Sequence, residues 1–281
     1  MRTGPWLFAA LALLSGCLAS PERGEVVSSG VGAATFEVRA RSTDIIPVRV
    51  LFPANDAGEA VGTKHPALVF VQGGFVSVGR YEWLAERLAR AGYVVALPRH
   101  ELDLAFFAVE NGDEARRLLV TPPVNSLLVD RVDTSRIAVG GHSLGGVVAT
   151  KLALLGGFNA LVLEASYPDA ADVTRLESFS KPSLSLAGGN DCSAPLEKVQ
   201  SGWDALPSPT ALSVLAGVTH YQFTKSEDED IQRGCASGAS LEEAHDRIAA
   251  SVQGFLDAVN AGTGVGEDAL RAVPGAEVTV R

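Results

Sequence analysis

The chain has 281 residues, 47% of them hydrophobic and 20% charged, and carries a formal net charge of −10. That length and apolar share suit a single globular α/β domain with a large core. The acidic balance argues against nucleic acid as a partner, which needs a basic surface, and against electrostatic adhesion to anionic lipid.

The first residues read as a targeting segment. Arg2 supplies a short positive region, and Trp6 to Leu14 is an apolar run too short to span a bilayer. Leu14-Ser15-Gly16-Cys17 follows and resembles the lipobox of bacterial lipoproteins, in which the cysteine is lipidated and becomes the first residue. The alternative is an ordinary secretory signal in which Cys17 is incidental. On the lipobox reading, residues 1–16 are removed and Cys17 carries an anchor of two or more acyl chains. The protein then belongs to the bacterial cell envelope, with its domain in the periplasm or at the cell surface. Leu18 after the cysteine resembles outer-membrane sorting in a Gram-negative host. Membrane contact is expected through the anchor alone. Residues 17–34, rich in Ser and Gly among charges, read as a flexible tether to a domain over residues 35–261.

Within that domain, Phe36 to Ala40 and Pro47 to Phe52 suggest an antiparallel pair. Ala67 to Val71 is a continuous apolar run, as a strand buried on both faces requires, and it ends in Gln72-Gly73-Gly74-Phe75. Tyr81 to Arg90 has helical spacing closed by Gly92, and Tyr93 to Leu97 is the next strand. A helix is expected within Glu114 to Asp130, with Asn111-Gly112-Asp113 as its cap and Pro122-Pro123 as an interruption at which the helical part starts. Strands are expected at Arg136–Gly140, Ala160–Ala165, Pro182–Ala187 and Thr210–Leu215, and helices at Leu196–Leu206 and Leu241–Val259. Strand–helix alternation predicts a mostly parallel central sheet with helices on both faces. Only 16 residues separate Ala165 from Pro182, which leaves no room there for a large cap domain. Other room for a lid lies between His100 and Asp113, where Phe106 and Phe107 read as local packing. Residues 262–281 read as a mobile tail with one short extended piece at Glu277–Val280.

Gly141-His142-Ser143-Leu144-Gly145 is a G-x-S-x-G run between a strand and a helix. A serine on such a sharp turn presents its hydroxyl at the sheet's edge, and glycines are needed where a Cβ would collide with strand or helix. Ser143 is therefore the candidate nucleophile. A serine hydroxyl needs a base, and the base needs an orienting acid. His220, in the loop after the last strand, is the candidate base. His65 and His100 precede Ser143, His142 points away from it, and His245 reads as a solvated helix histidine. Asp191, in Gly188-Gly189-Asn190-Asp191 after a buried strand, is the candidate acid, with Asp169 the runner-up. Two backbone N–H donors are needed for an oxyanion: Leu144, and either Gly74 or Phe75. No metal cluster or phosphate loop is legible, since no Lys-Ser/Thr follows Gly145, and no metal or cofactor is called for. Cys192 and Cys235 form an even pair in an oxidising compartment and are expected to bond, closing a loop of about 44 residues worth about 4 kcal/mol.

Together, the glycine-aromatic turn after Val71, the helix ending Leu88-Ala89-x-x-Gly92, the elbow, Gly188-x-x-Asp191-x-x-x-Pro195 and Gly217-x-x-His220 resemble the α/β-hydrolases. The resemblance covers about residues 36 to 260 and is close to the chlorophyllase, dienelactone hydrolase and polyester hydrolase (cutinase-like) group. It implies a cofactor-free Ser-His-Asp esterase acting on a small-molecule or polymeric ester. It also implies a disulfide tying the acid and base loops, as in bacterial polyester hydrolases. The chain departs from the group in lacking an aromatic-rich cleft, with Phe75 and Tyr221 the obvious aromatics, and in having Gln72 where chlorophyllases carry His. The other reading is an inactive hydrolase-fold lipoprotein that binds a ligand or partner.

Overall fold

A computed structural model describes residues 24–39, 45–100 and 105–281. The signal segment and Cys17 lie outside the described residues, as do the side chains of Phe106 and Phe107. Ten strands form one sheet: β1 (Glu25–Ser28), β2 (Val31–Arg39), β3 (Ile45–Pro53), β4 (His65–Val71), β5 (Val94–Pro98), β6 (Val132–His142), β7 (Leu161–Glu164), β8 (Ser183–Gly188), β9 (Thr210–Leu215) and β10 (Ala276–Val280). Their spatial order is β1-β2-β3-β5-β4-β6-β7-β8-β9-β10. The run from β5 to β9 is parallel, and β1 to β3 and β10 pair antiparallel at the two ends. The central strands are apolar without alternation because both faces are covered. Leu68, Val69, Val139, Leu161, Val162 and Leu184 have no exposed surface.

Between the strands lie α1 (Glu82–Arg90), α2 (Ala105–Val120), α3 (Leu144–Leu155), α4 (Val173–Leu176), α5 (Leu196–Asp204), α6 (Asp228–Gln232), α7 (Leu241–Ala261) and α8 (Glu267–Arg271). The connection β4-α1-β5 moves one way along the sheet and β5-α2-β6 moves back past β4. Right-handed crossovers therefore put α1 and α2 on opposite faces. α1 packs beside α7, and α2 beside α3. The reversal at β4 opens a crevice at the carboxyl ends of β4 and β6, where parallel sheets place their sites. The loop Gln72–Phe75 and the turn at Ser143 both emerge there.

The structure corrects three expectations. Residues 25–28 and 31–34 are strand, not tether: Gly30, at φ +81°, turns the chain so that β1 pairs with β2. Asn111-Gly112-Asp113 lies inside α2, which ends at Val120 before the prolines. Gly112 is small because α2 crosses α3 closely; a Cβ there would lie 2.4 Å from Leu152 Cδ1. Residues 262–281 are ordered structure. α8 buries Leu270 and β10 extends the sheet along β9. Arg281 closes this edge, donating to Leu206 O at 2.7 Å with its guanidinium 4.3 Å from the Trp203 ring centroid.

Candidate active site

Ser143 occupies the turn between β6 and α3 with φ 53° and ψ −124°, a conformation that costs a non-glycine residue about 1–3 kcal/mol. Its own backbone bonds hold it there. The Ser143 N–H donates to Glu164 O at 2.9 Å, and the Ser143 carbonyl accepts from Gly146 N at 2.9 Å and Ser166 Oγ at 2.6 Å. The flanking glycines are steric necessities. A Cβ at Gly141 would lie 2.3 Å from Gly145 O, one at Gly145 2.2 Å from Val71 O, and one at Gly146 2.4 Å from Ser166 Oγ.

His220 follows β9 and opens a single 3-10 turn, Tyr221–Phe223. Its Nδ1 is 2.8 Å from Asp191 Oδ2; its side chain is 6% exposed and that of Asp191 is fully buried. The other carboxylate oxygen, Oδ1, accepts from Ser193 N and Ala194 N, each at 2.7 Å. The carboxylate is thus fixed by backbone on one side and turned to the imidazole on the other. With Nδ1–H donating to Asp191, His220 Nε2 is left as a proton acceptor. The two loops are joined by Asn190 N–H donating to Val218 O at 2.9 Å, by Asn190 Nδ2 donating to Ala236 O at 2.9 Å, and by the Cys192–Cys235 disulfide. Asp169, the runner-up acid, lies elsewhere. It is bound by Ala171 N at 3.1 Å and by Lys151 Nζ at 3.4 Å, contacts that lower its carboxyl pKa.

Leu144 N–H belongs to the first turn of α3, where amides have no intrahelical acceptor. Gly74 packs against it: a Cβ on Gly74 would lie 3.3 Å from Leu144 Cδ2, and the Gly74 N–H has no acceptor among the described residues. Phe75 follows at φ 56° with its ring almost fully exposed. Ser143, Leu144, Val147, Tyr167 and Ser193 border a cleft of about 220 Å³.

A family model described as the alpha/beta hydrolase family matches residues 67–241. The chain belongs to the alpha/beta hydrolase family. A search among curated proteins finds no match. The matched span contains the Gly74 loop, Ser143, Asp191 and His220, which follow the carboxyl ends of β4, β6, β8 and β9.

Beneath this hydrolase site runs a hydrogen-bond relay that the sequence does not announce. The Gly73 N–H donates to the Tyr81 hydroxyl at 2.9 Å, and that hydroxyl meets His142 Nδ1 at 2.9 Å. His142 Nε2 is 3.1 Å from His220 O. Since a carbonyl only accepts, Nε2 carries the proton, Nδ1 accepts, and the Tyr81 O–H donates to it. His142 is fully buried beside His220, and both burial and that neighbour hold its pKa well below the ordinary histidine value. It is therefore a neutral link between the loop after β4, the serine turn and the base loop.

Three further groups were not legible as site residues. Glu164, the register partner of His142, is completely buried; neither carboxyl oxygen has a partner among the described residues, and burial pushes its pKa up to about 8. Asp230 lies behind the base loop, where Oδ2 accepts from Tyr221 N at 2.6 Å and burial raises its pKa. His245 is not a solvated helix residue. It stacks on Trp83 at a 3.7 Å centroid distance and its Nε2 donates to Thr224 O at 2.9 Å, with burial lowering its pKa.

Proposed function

We propose that this protein is a serine hydrolase that cleaves carboxylic esters through an acyl-enzyme. The observation that carries this reading is the buried Asp191–His220 hydrogen bond beside the strained Ser143 turn. His220 Nε2 takes the Ser143 hydroxyl proton as Oγ bonds to the ester carbonyl carbon. The carbonyl oxygen becomes an oxyanion facing Leu144 N–H and the N–H of Gly74 or Phe75. As the carbon–oxygen bond to the leaving group breaks, the imidazolium returns its proton to the departing alkoxide, releasing an alcohol. Water then adds to the acyl-enzyme by the same proton route, freeing a carboxylic acid and Ser143. Asp191 orients the imidazole and stabilises its charged form throughout.

We also propose a resemblance to the chlorophyllase, dienelactone hydrolase and polyester hydrolase group, supported by the disulfide between the acid and base loops. We also propose lipid anchoring at Cys17 to a bacterial envelope membrane, on the sequence pattern alone. The test is turnover of para-nitrophenyl esters from acetate to laurate by the full chain and by Ser143→Ala, with a fluorophosphonate label on Ser143. Turnover and labelling lost in the variant support the reading. A folded protein with neither would reject it in favour of a ligand-binding lipoprotein.

A further inference from the structure

One cation on the rim of the cleft has no anion in hydrogen-bond or ion-pair contact among the described residues. Arg233 follows α6 and is exposed. Its Nη1 donates to Ser193 Oγ at 2.9 Å, its Nη2 reaches the Tyr221 hydroxyl at 3.4 Å, and its Cζ is 5.4 Å from the Tyr221 ring centroid. Ser193 borders the cleft that holds Ser143, and Tyr221 directly follows His220. Arg233 forms no ion pair among the described residues. Arg80, which also faces the Tyr221 ring, is different: both its Nη atoms donate to Glu229. Glu229 feels the charge of Arg233, but its two oxygens are taken by Arg80.

A guanidinium offers five donors in a planar fork, and two neutral hydroxyls orient this one without cancelling its charge. Stapling the loops does not require it, since the disulfide and the Asn190–Ala236 bond already do that. A chain of net charge −10 repels anions at long range, so recognition of an anionic substrate needs a local cation of this kind. We infer that Arg233 forms a subsite for a carboxylate carried by the ester substrate, as in a half-ester of a dicarboxylic acid or an acid-ended oligoester. The inference rests on the esterase reading above.

The test compares charged and neutral esters in the full chain. One pair is para-nitrophenyl hydrogen glutarate against para-nitrophenyl pentanoate; the other is para-carboxyphenyl acetate against its methyl ester. For at least one pair, the charged-to-neutral ratio of kcat/KM is expected to fall about three- to fivefold in Arg233→Gln, the range of an exposed ion pair. Arg233→Lys should keep most of the preference. About 0.5 M salt, which shortens the screening length to a few Å, should erase it in the parent. A purely structural role would lower both members of a pair together. Ratios that are the same in parent and Arg233→Gln overturn the subsite while ester hydrolysis stands. No turnover of any of the four esters also overturns it, and fluorophosphonate labelling then decides whether the serine-hydrolase reading falls with it.

Discussion

Replacing Glu164 by Gln isolates the energetic cost of a buried, unpartnered carboxyl. Burial raises this carboxyl to about 8 from an ordinary 4.5, so the folded protein keeps a proton that the unfolded chain gives up across that interval. Where the native state binds the extra proton, unfolding free energy falls by about 1.4 kcal/mol for each pH unit. The contribution is whole below about pH 4.5 and is lost as pH rises through about 8. Between about pH 5 and 7.5 the loss is about 3 kcal/mol. Gln has the shape of the protonated acid and cannot ionise, so Glu164→Gln should be close to the parent at pH 5 and more stable by about that amount at pH 7.5. His142, held neutral, destabilises the protein toward acid in both and cancels from the difference. Urea unfolding at several pH values measures the two curves. If parent and variant lose stability in parallel over this interval, Glu164 is not protonated in the native state and the argument fails.

Other substitutions probe separate parts of the site. Tyr81→Phe leaves the Gly73 N–H and His142 Nδ1 unsatisfied in a buried place; kcat should fall about tenfold, with a smaller change in KM, in steady-state ester hydrolysis. A matching rise in KM alone would instead make the relay a substrate contact. Gly145→Ala sets a Cβ 2.2 Å from a strand carbonyl, so loss of more than about 2 kcal/mol and of fluorophosphonate labelling is expected by thermal unfolding and active-site titration. The double variant Cys192→Ala, Cys235→Ala should be less stable by about 4 kcal/mol in equilibrium unfolding, and a stability equal to the parent would mean that the bond restrains nothing.

What the sequence made legible is what local chemistry dictates. The serine turn could be read because two collisions with backbone, at Gly141 and Gly145, and one with the Ser166 side chain, at Gly146, force glycine at fixed offsets from Ser143. The buried strands could be read because unbroken apolar runs fit only a sheet covered on both sides. Asp191 and His220 were found from their loops after strands, although 28 residues lie between them, because the fold gives those loops fixed places. Three of the misreadings share a cause: the deciding contact is distant in sequence. Gly112 looks like a cap until Leu152 of α3 is seen against it. The last twenty residues look like a tail until β10 covers the open edge of β9. His245 looks solvated on its own helix, and Trp83, far upstream, with the Thr224 carbonyl takes it out of water. Tyr81 carries no signal at all, since it directly precedes an ordinary amphipathic helix and its role depends on its hydroxyl reaching Gly73 and, 61 residues on, His142.

The floor under His220 gains its meaning from charge. His142 and Glu164 are register partners on adjacent strands, and His142 lies 4.6 Å from His220 between ring centroids. A protonated His142 would oppose the imidazolium that the proposed reaction forms, and an ionised Glu164 would add a second negative centre competing with Asp191. Burial removes both charges at neutral pH, from His142 by expelling a proton and from Glu164 by retaining one. With the floor uncharged, the Asp191 carboxylate against His220 Nδ1 defines the tautomer and direction of the base. Glu164→Gln, which keeps that neutrality, should therefore retain near-parental kcat at pH 7. Glu164→Ala, which opens a cavity beside His142, should not. A pH profile in which Glu164→Gln loses activity as severely as Ser143→Ala would show that the carboxyl takes part in proton transfer.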